Sequence, residues 1–137
     1  MCAVGKASLF FLLRSMAYAW RTVVARGIPL AFGSDAPIEA WAPALGIAAA
    51  VTRMDAQGQP PGGFGPEQRL SDAEAVRAFS RGVAFAAHAE GARGELAVGR
   101  PLDLTVFDRD PRGTGGGWRA ARVVATVRDG VVRRPRE

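Results

Sequence analysis

The sequence predicts an α/β fold: helices around a buried strand, followed by a small antiparallel sheet at the carboxyl end. Three observations carry this. Apolar residues recur at three- and four-residue intervals over 8–26 and 43–53, the period of a helix with one buried face. Ile28 to Phe32 is continuously apolar, as expected of a strand buried on both faces. After Gly94 the period drops to two, and Asp129-Gly130 sits between β-branched runs, the signature of a hairpin.

Taken in order, residues 8–26 hold no proline or glycine, and Leu13, Met16, Trp20, Val23 and Val24 form one stripe before Gly27. The apolar run Ile28 to Phe32 ends in a polar turn, Gly33 to Pro37. Residues 43–53 return to helical character, with Pro43 in the first turn and Leu45, Ile47, Ala48 and Val51 on the apolar side. The stretch 57–66, with three prolines and four glycines, is a loop. Ser71-Asp72-Ala73-Glu74 reads as a capping box opening a helix with Val76, Phe79 and Val83 on its apolar face. Gly82 marks a break before a second short helix, Val83 to Glu90. Leu102 to Asp108 alternates as a strand. A flexible stretch, Gly113 to Gly117, separates it from the hairpin strands Arg122 to Arg128 and Val131 to Arg133.

Composition narrows the function classes. The 137 residues are 48% hydrophobic and 23% charged, with a mean hydropathy of +0.03, as in an ordinary globular domain. A net charge of +5 raises polyanions as partners. Yet Lys6 is the only lysine, and Arg14, Arg21, Arg26, Arg53, Arg69, Arg77 and Arg81 are scattered singly. The only dense run is Arg133-Arg134-Pro135-Arg136. No basic stripe interleaved with aromatics is present, so no nucleic-acid partner is expected. Cys2 is the only cysteine, which excludes an intrachain disulfide and a thiolate zinc cage and fits a reducing, cytoplasmic setting. Lys6, the run Ala7 to Leu13 and Ala17-Tyr18-Ala19 imitate a short secretory signal. Arg14 interrupts that pattern, and the run is too short to cross a bilayer, so no membrane partner is expected.

Asp35 is the residue best placed for chemistry. A carboxylate directly after a buried strand stands at the carboxyl end of the sheet, where α/β enzymes carry their catalytic groups. The alternative is an aspartate that caps or turns the chain before Pro37, which the local pattern alone favours. Gly62-Gly63-Phe64-Gly65 lacks the preceding strand and following lysine of a phosphate loop and is a linker. Trp20 and Trp41 are candidates for a substrate cavity, core packing being the commoner use of tryptophan. Glu39 lies close enough to the turn to touch substrate, a solvated loop carboxylate being its commoner role.

Gly27-Ile28-Pro29-Leu30-Ala31-Phe32-Gly33-Ser34-Asp35-Ala36-Pro37 resembles the last barrel strand of metal-dependent amidohydrolases. The branch is the amidohydrolase-3 group that includes YtcJ-like and N-substituted formamide deformylase-like enzymes. Further similar segments follow in order: Pro43 to Arg53 as the next helix, Gln68 to Phe79 as the family's Leu-Ser-x-x-Glu-Ala-x-Arg-Ala-Tyr/Phe helix, and Gly94 to Asp108 as its Gly-Ser-Leu-x-x-Gly-Lys-x-Ala-Asp-Leu-Val-Val-Leu-Asp segment. Val124 to Val132 fits the terminal strands. Arg100 stands where the family usually has lysine and Leu102 where it has alanine. The resemblance covers about residues 15–135.

The resemblance implies a carboxyl-terminal fragment of a (β/α)₈ barrel, a fold of ~250 residues when complete, followed by part of a small antiparallel β-sandwich. It implies residues 15–93 as the end of the barrel with its following helices, 94–137 as the sandwich strands, and 1–14 as an unmatched segment. In such enzymes a divalent metal, usually zinc, polarises the scissile carbonyl and activates water. Its ligands come from His-x-His on the first strand, Lys or Glu on a middle strand, two later histidines and the Asp that ends the last strand. That Asp also moves a proton from water to the leaving amine. Only Asp35 has a counterpart in this set. His88 falls on a helix after the barrel, at no ligand position, and one carboxylate cannot hold a catalytic zinc. The expectation is hydrolysis of a small amide or formamide, a non-peptide C–N bond, in the complete family member, with this chain inactive and metal-free alone. Two alternatives stand beside it: the carboxyl-terminal half of a split enzyme, complemented by a chain carrying the missing barrel portion, or a basic non-catalytic binding module.

Overall fold

The computed structural model describes residues 17–113 and 117–135. Cys2, Lys6, Leu13, Arg14, Met16 and Arg136 lie outside them, as does the signal-like run. Described elements are helices α1 (Trp20–Ala25), α2 (Pro43–Thr52), α3 (Asp72–Phe79), α4 (Arg81–Ala86) and α5 (Gly117–Ala120), a 3₁₀ turn (Pro66–Gln68), and strands β1 (Leu104–Phe107), β2 (Val123–Arg128) and β3 (Val131–Arg133). The sheet is antiparallel throughout, in the order β1-β2-β3. Among the described residues no helix is long and apolar enough to cross a membrane.

The elements with strong local signals form where expected. Ser71 caps α3: its hydroxyl accepts the Glu74 N–H, and the Glu74 carboxylate accepts the Ser71 N–H at 2.8 Å, closing the box. The same carboxylate receives both terminal nitrogens of Arg21, at 2.6 and 2.7 Å, so the cap also ties α1 to α3. Asp129 and Gly130 both adopt positive φ, as a two-residue hairpin turn between β2 and β3 requires. Val127 then faces Val132, and Thr126 faces Arg133. Leu104 pairs with Val127 and Thr105 with Thr126, before a bulge between Val106 and Phe107.

The Arg21 hydrogen bonds, ahead of those from Ser71, hold the Glu74 carboxyl at about 2, below its ordinary 4.5. A carboxyl depressed on folding stabilises the protein fully above pH ~4.5 and loses that contribution as pH falls towards about 2. The pair is partly exposed, so its share is modest, ~0.2–1 kcal/mol. Glu74→Gln should therefore lower the urea midpoint above pH 5 and flatten its fall between pH 4.5 and 2. Parallel midpoint curves for the two proteins would refute this.

The core is small and rich in alanine: Ile47, Ala48, Ala50, Leu70, Ala75 and Trp118, flanked by half-buried Trp20, Leu30, Phe32, Phe79 and Phe107. The expected faces hold in part. Ile47, Ala48 and Phe79 pack inward as expected, but Leu45, Val76 and Val83 are exposed, and Ala50, Ala75 and Ala78 are buried in their place. Small side chains let α2 and α3 approach closely, and the larger residues are left on the far side. Gly82 is not the break between helices. Ser80 is the junction residue, and α4 runs from Arg81 through Gly82 to Ala86.

The Ile28–Phe32 segment is not a strand among the described residues: it belongs to no ladder, and Ile28 is 51% exposed. A ladder needs an adjacent strand, and the segment's neighbours are helices. Phe32 N–H donates instead to Ala78 C=O at the end of α3, at 3.1 Å. Helix α5 begins at Gly117, the last residue of the stretch read as flexible, and lies ahead of β2 where the sequence suggested no element. There Trp118, 5% exposed, donates its indole N–H to Asp72 at 2.6 Å and meets Phe107 edge-on at 5.8 Å, joining the sheet to the helices.

Candidate functional site

The segment leading to Asp35 starts where α1 stops. Gly27 and Ile28 donate their N–H groups to the carbonyls of Val24 and Val23, a Schellman closure that turns the chain out of the helix. Leu30 and Phe32 then turn inward. The Phe32 ring packs edge-on against Trp20 at 5.1 Å and Phe79 at 5.5 Å. Beyond this anchor the chain emerges, and Asp35 is exposed in the left-handed region at φ 54. Its main-chain carbonyl accepts the Ile38 N–H at 2.9 Å, so the backbone forms the turn and the carboxylate is carried outward from it. Ile38 and Trp41 follow, 79% and 83% exposed, with Glu39 between them also exposed.

His88 is not on a helix. It is exposed in the turn after α4 at φ 53, its N–H donating to Phe85 C=O. Among the described residues no group of three or more His, Cys, Asp or Glu is placed to hold a metal ion. The structure does not gather Asp35, Glu39 and His88 into such a group. A zinc site needs about three protein ligands. This donor set, one outward carboxylate, does not fit a catalytic metal.

A second feature was not read from the sequence. Arg53, 7% exposed, ends α2 in a left-handed conformation and lies over the Trp20 ring at 4.5 Å, with Phe64 at 5.7 Å and Tyr18 at 5.9 Å. Its Nε donates to Phe64 C=O at 2.8 Å. Burial lowers its pKa from the ordinary arginine value. The cluster borders a hollow of about 380 Å³ whose wall includes Trp20, Arg53, Met54, Pro60 and Phe64. Trp20 borders this hollow and also packs against the core, while Asp35 is not among the lining residues and Trp41 stands exposed on the surface.

The Gly62 to Gly65 stretch is more than a linker, because Arg53 and Arg69 hold its carbonyls. Gly63, at φ +81, is buried so tightly that a Cβ there would sit 2.4 Å from Thr52 O. Gly63→Ala should cost about 1–3 kcal/mol in urea unfolding, from backbone strain and that contact. A change under 0.5 kcal/mol would contradict this packing. The paired glycines were the available signal, although spacing alone cannot say which carbonyl they approach.

Many of the scattered arginines are internally engaged. Arg21, Arg81, Arg93, Arg100, Arg109 and Arg112 pair with carboxylates, and Arg69 and Arg119 bind main-chain carbonyls.

Comparison with known proteins gives this geometry its context. The sequence model of the amidohydrolase family matches residues 7–134. The chain belongs to that family. It is 39% identical over 95 residues to a Bacillus subtilis (strain 168) protein named as amidohydrolase YtcJ, covering 69% of this chain and 18% of that protein. It is 30% identical over 114 residues to the N-substituted formamide deformylase of Arthrobacter pascens, covering 82% of this chain and 20% of that enzyme. The chain thus spans about a fifth of the length of these curated relatives. No solved structure shows a significant match. Within this amidohydrolase-family chain, Asp35 is the carboxylate that ends the conspicuous apolar segment.

Proposed function

We propose that this chain provides the carboxyl-terminal part of an amidohydrolase acting on a non-peptide C–N bond such as an amide or formamide, and that Asp35 is its contribution to the reacting centre. The observation that carries this is an exposed carboxylate leaving a segment anchored in the core and, among the described residues, belonging to no group of three or more donors placed to hold a metal. A surface aspartate serving only a turn would not explain the bare Ile38 and Trp41 beside it. A neighbouring portion of the enzyme would cover them. In this reading residues 15–93 end the barrel and residues 94–137 contribute accessory sandwich strands. The outward faces at Leu45, Val76 and Val83 pack against the rest of the enzyme. The cytoplasm is the proposed setting.

The donors among the described residues do not make a catalytic metal site, so in this reading the reaction draws on groups from the rest of the enzyme. Asp35, carried outward on its turn, can accept a proton there and return it to the leaving nitrogen. The chain alone should turn over no amide and retain no stoichiometric zinc.

The test is a graft. Residues matched to the Arthrobacter pascens deformylase replace the corresponding segment of that enzyme, and deformylation of an N-substituted formamide is measured. Activity in the graft supports the reading. A folded graft without activity, or turnover with a stoichiometric divalent ion in the isolated chain, overturns it. If the remaining portion is a separate chain, mixing the two should restore turnover.

A further inference from the structure

The backbone that leads to Asp35 rests against the junction of α3 and α4. Gly82, the second residue of α4, is buried directly against the backbone of the Asp35 segment. A Cβ on it would lie 1.8 Å from Leu30 O, 2.9 Å from Leu30 C and 3.3 Å from Ala31 Cα. The obstacle is main chain, so no rotamer change can relieve it. The conformation of Gly82 does not call for glycine, since its φ is not positive and helix propensity would favour alanine there. Space alone demands the missing side chain. Four residues earlier, Ala78 C=O receives the Phe32 N–H, and Phe79 supports the Phe32 ring.

These contacts hold residues 30–32. Beyond them the chain reaches Asp35 in three residues, at most ~10 Å of backbone. The only main-chain hydrogen bond at Asp35 among the described residues is its own turn to Ile38. A displacement of the Leu30 carbonyl is therefore passed to the carboxylate with little to absorb it. We infer that Gly82 is a positioning residue for Asp35: by letting α4 seat against the Leu30–Ala31 backbone, it fixes where the carboxylate emerges. This rests on Asp35 being the reacting carboxylate proposed above.

The experiment has two arms. In the full chain, Gly82→Ala should shift the amide resonances of residues 30–36 and leave those of the β2–β3 hairpin in place. Gly91→Ala, whose Cβ would meet nothing within 4 Å, should shift neither set. In the deformylase graft, Gly82→Ala should lower kcat by about 10²-fold, the scale of an ångström-sized misplacement, with KM within about twofold. Loss of folded enzyme would also lower apparent kcat at constant KM, so kcat is expressed per folded enzyme, counted from the amplitude of the urea transition. If Gly82→Ala does not fold, replacing the Phe32 amide by an ester removes its N–H donor to Ala78 without adding bulk and should give the same split. If Asp35→Asn leaves the graft fully active, the functional reading fails. If Asp35→Asn is inactive while Gly82→Ala or the ester keeps full kcat, the positioning role fails and the functional reading stands.

Discussion

Asp35→Asn in the deformylase graft should lower kcat by about 10²–10⁴-fold, the contribution expected of a positioned proton-transfer group. Asparagine keeps the shape of the side chain but cannot take up a proton and carries no charge. The substitution is also unusually clean. Asp35 is exposed, its turn is closed by its main-chain carbonyl, and it sits at φ 54, where asparagine is among the best-tolerated residues. Stability should change by less than ~0.5 kcal/mol, so activity and folding can be read separately. Glu39→Gln, in the same exposed stretch, should leave kcat close to its starting value. Full turnover by the Asp35→Asn graft, with an unchanged melting curve, would remove Asp35 from the chemistry.

The largest expected loss of stability is at Trp118. Trp118→Ala should cost about 3–5 kcal/mol, the range for emptying a buried aromatic site, against a total of ~5–15 kcal/mol for a folded domain. Three things are lost together. The ring leaves a cavity beside Ile47, Ala48 and Leu70, because the alanine-rich surroundings offer few long side chains to collapse into it. Its edge contact with Phe107 disappears, and with it a main link from β1 to the helices. Asp72 loses the indole donor but retains the Gly113 N–H at 3.2 Å and access to water. Trp118→Phe keeps most of the volume and should cost ~1 kcal/mol, chiefly the hydrogen bond. Urea unfolding followed by far-ultraviolet circular dichroism gives both values. A Trp118→Ala protein within 1 kcal/mol of the parent would mean that the sheet is held by other contacts.

Local signals were legible wherever the governing interaction closes within a few residues. Ser71 and Glu74 cap α3 through reciprocal bonds three residues apart, Asp129-Gly130 turns the hairpin with two positive φ angles, and Pro43 opens α2 as its missing N–H allows. Family membership was also legible, because ordered motifs from Gly27 to Val132 carry it. Asp35 was legible through that resemblance rather than from its own surroundings. By local pattern it is a turn residue, and its backbone does form a turn.

Chain order alone therefore settled the caps, the turns, the hairpin and the family, and it singled out Asp35 as a candidate. Tertiary structure decided which faces are inside. Leu45 and Val83 face outward while Ala50 and Ala75 are buried, Trp41 is bare while Trp118 is enclosed, and the Ile28–Phe32 run lies against helices instead of in a ladder. Arg53 stacked on Trp20, Gly63 against Thr52 O and Gly82 against Leu30 O belong to the same class. Periodicity along one element says that a face is apolar, but burial depends on which other element arrives there and how closely its backbone can approach. That distance is fixed between residues tens of positions apart, where no pattern of spacing in a single chain records it.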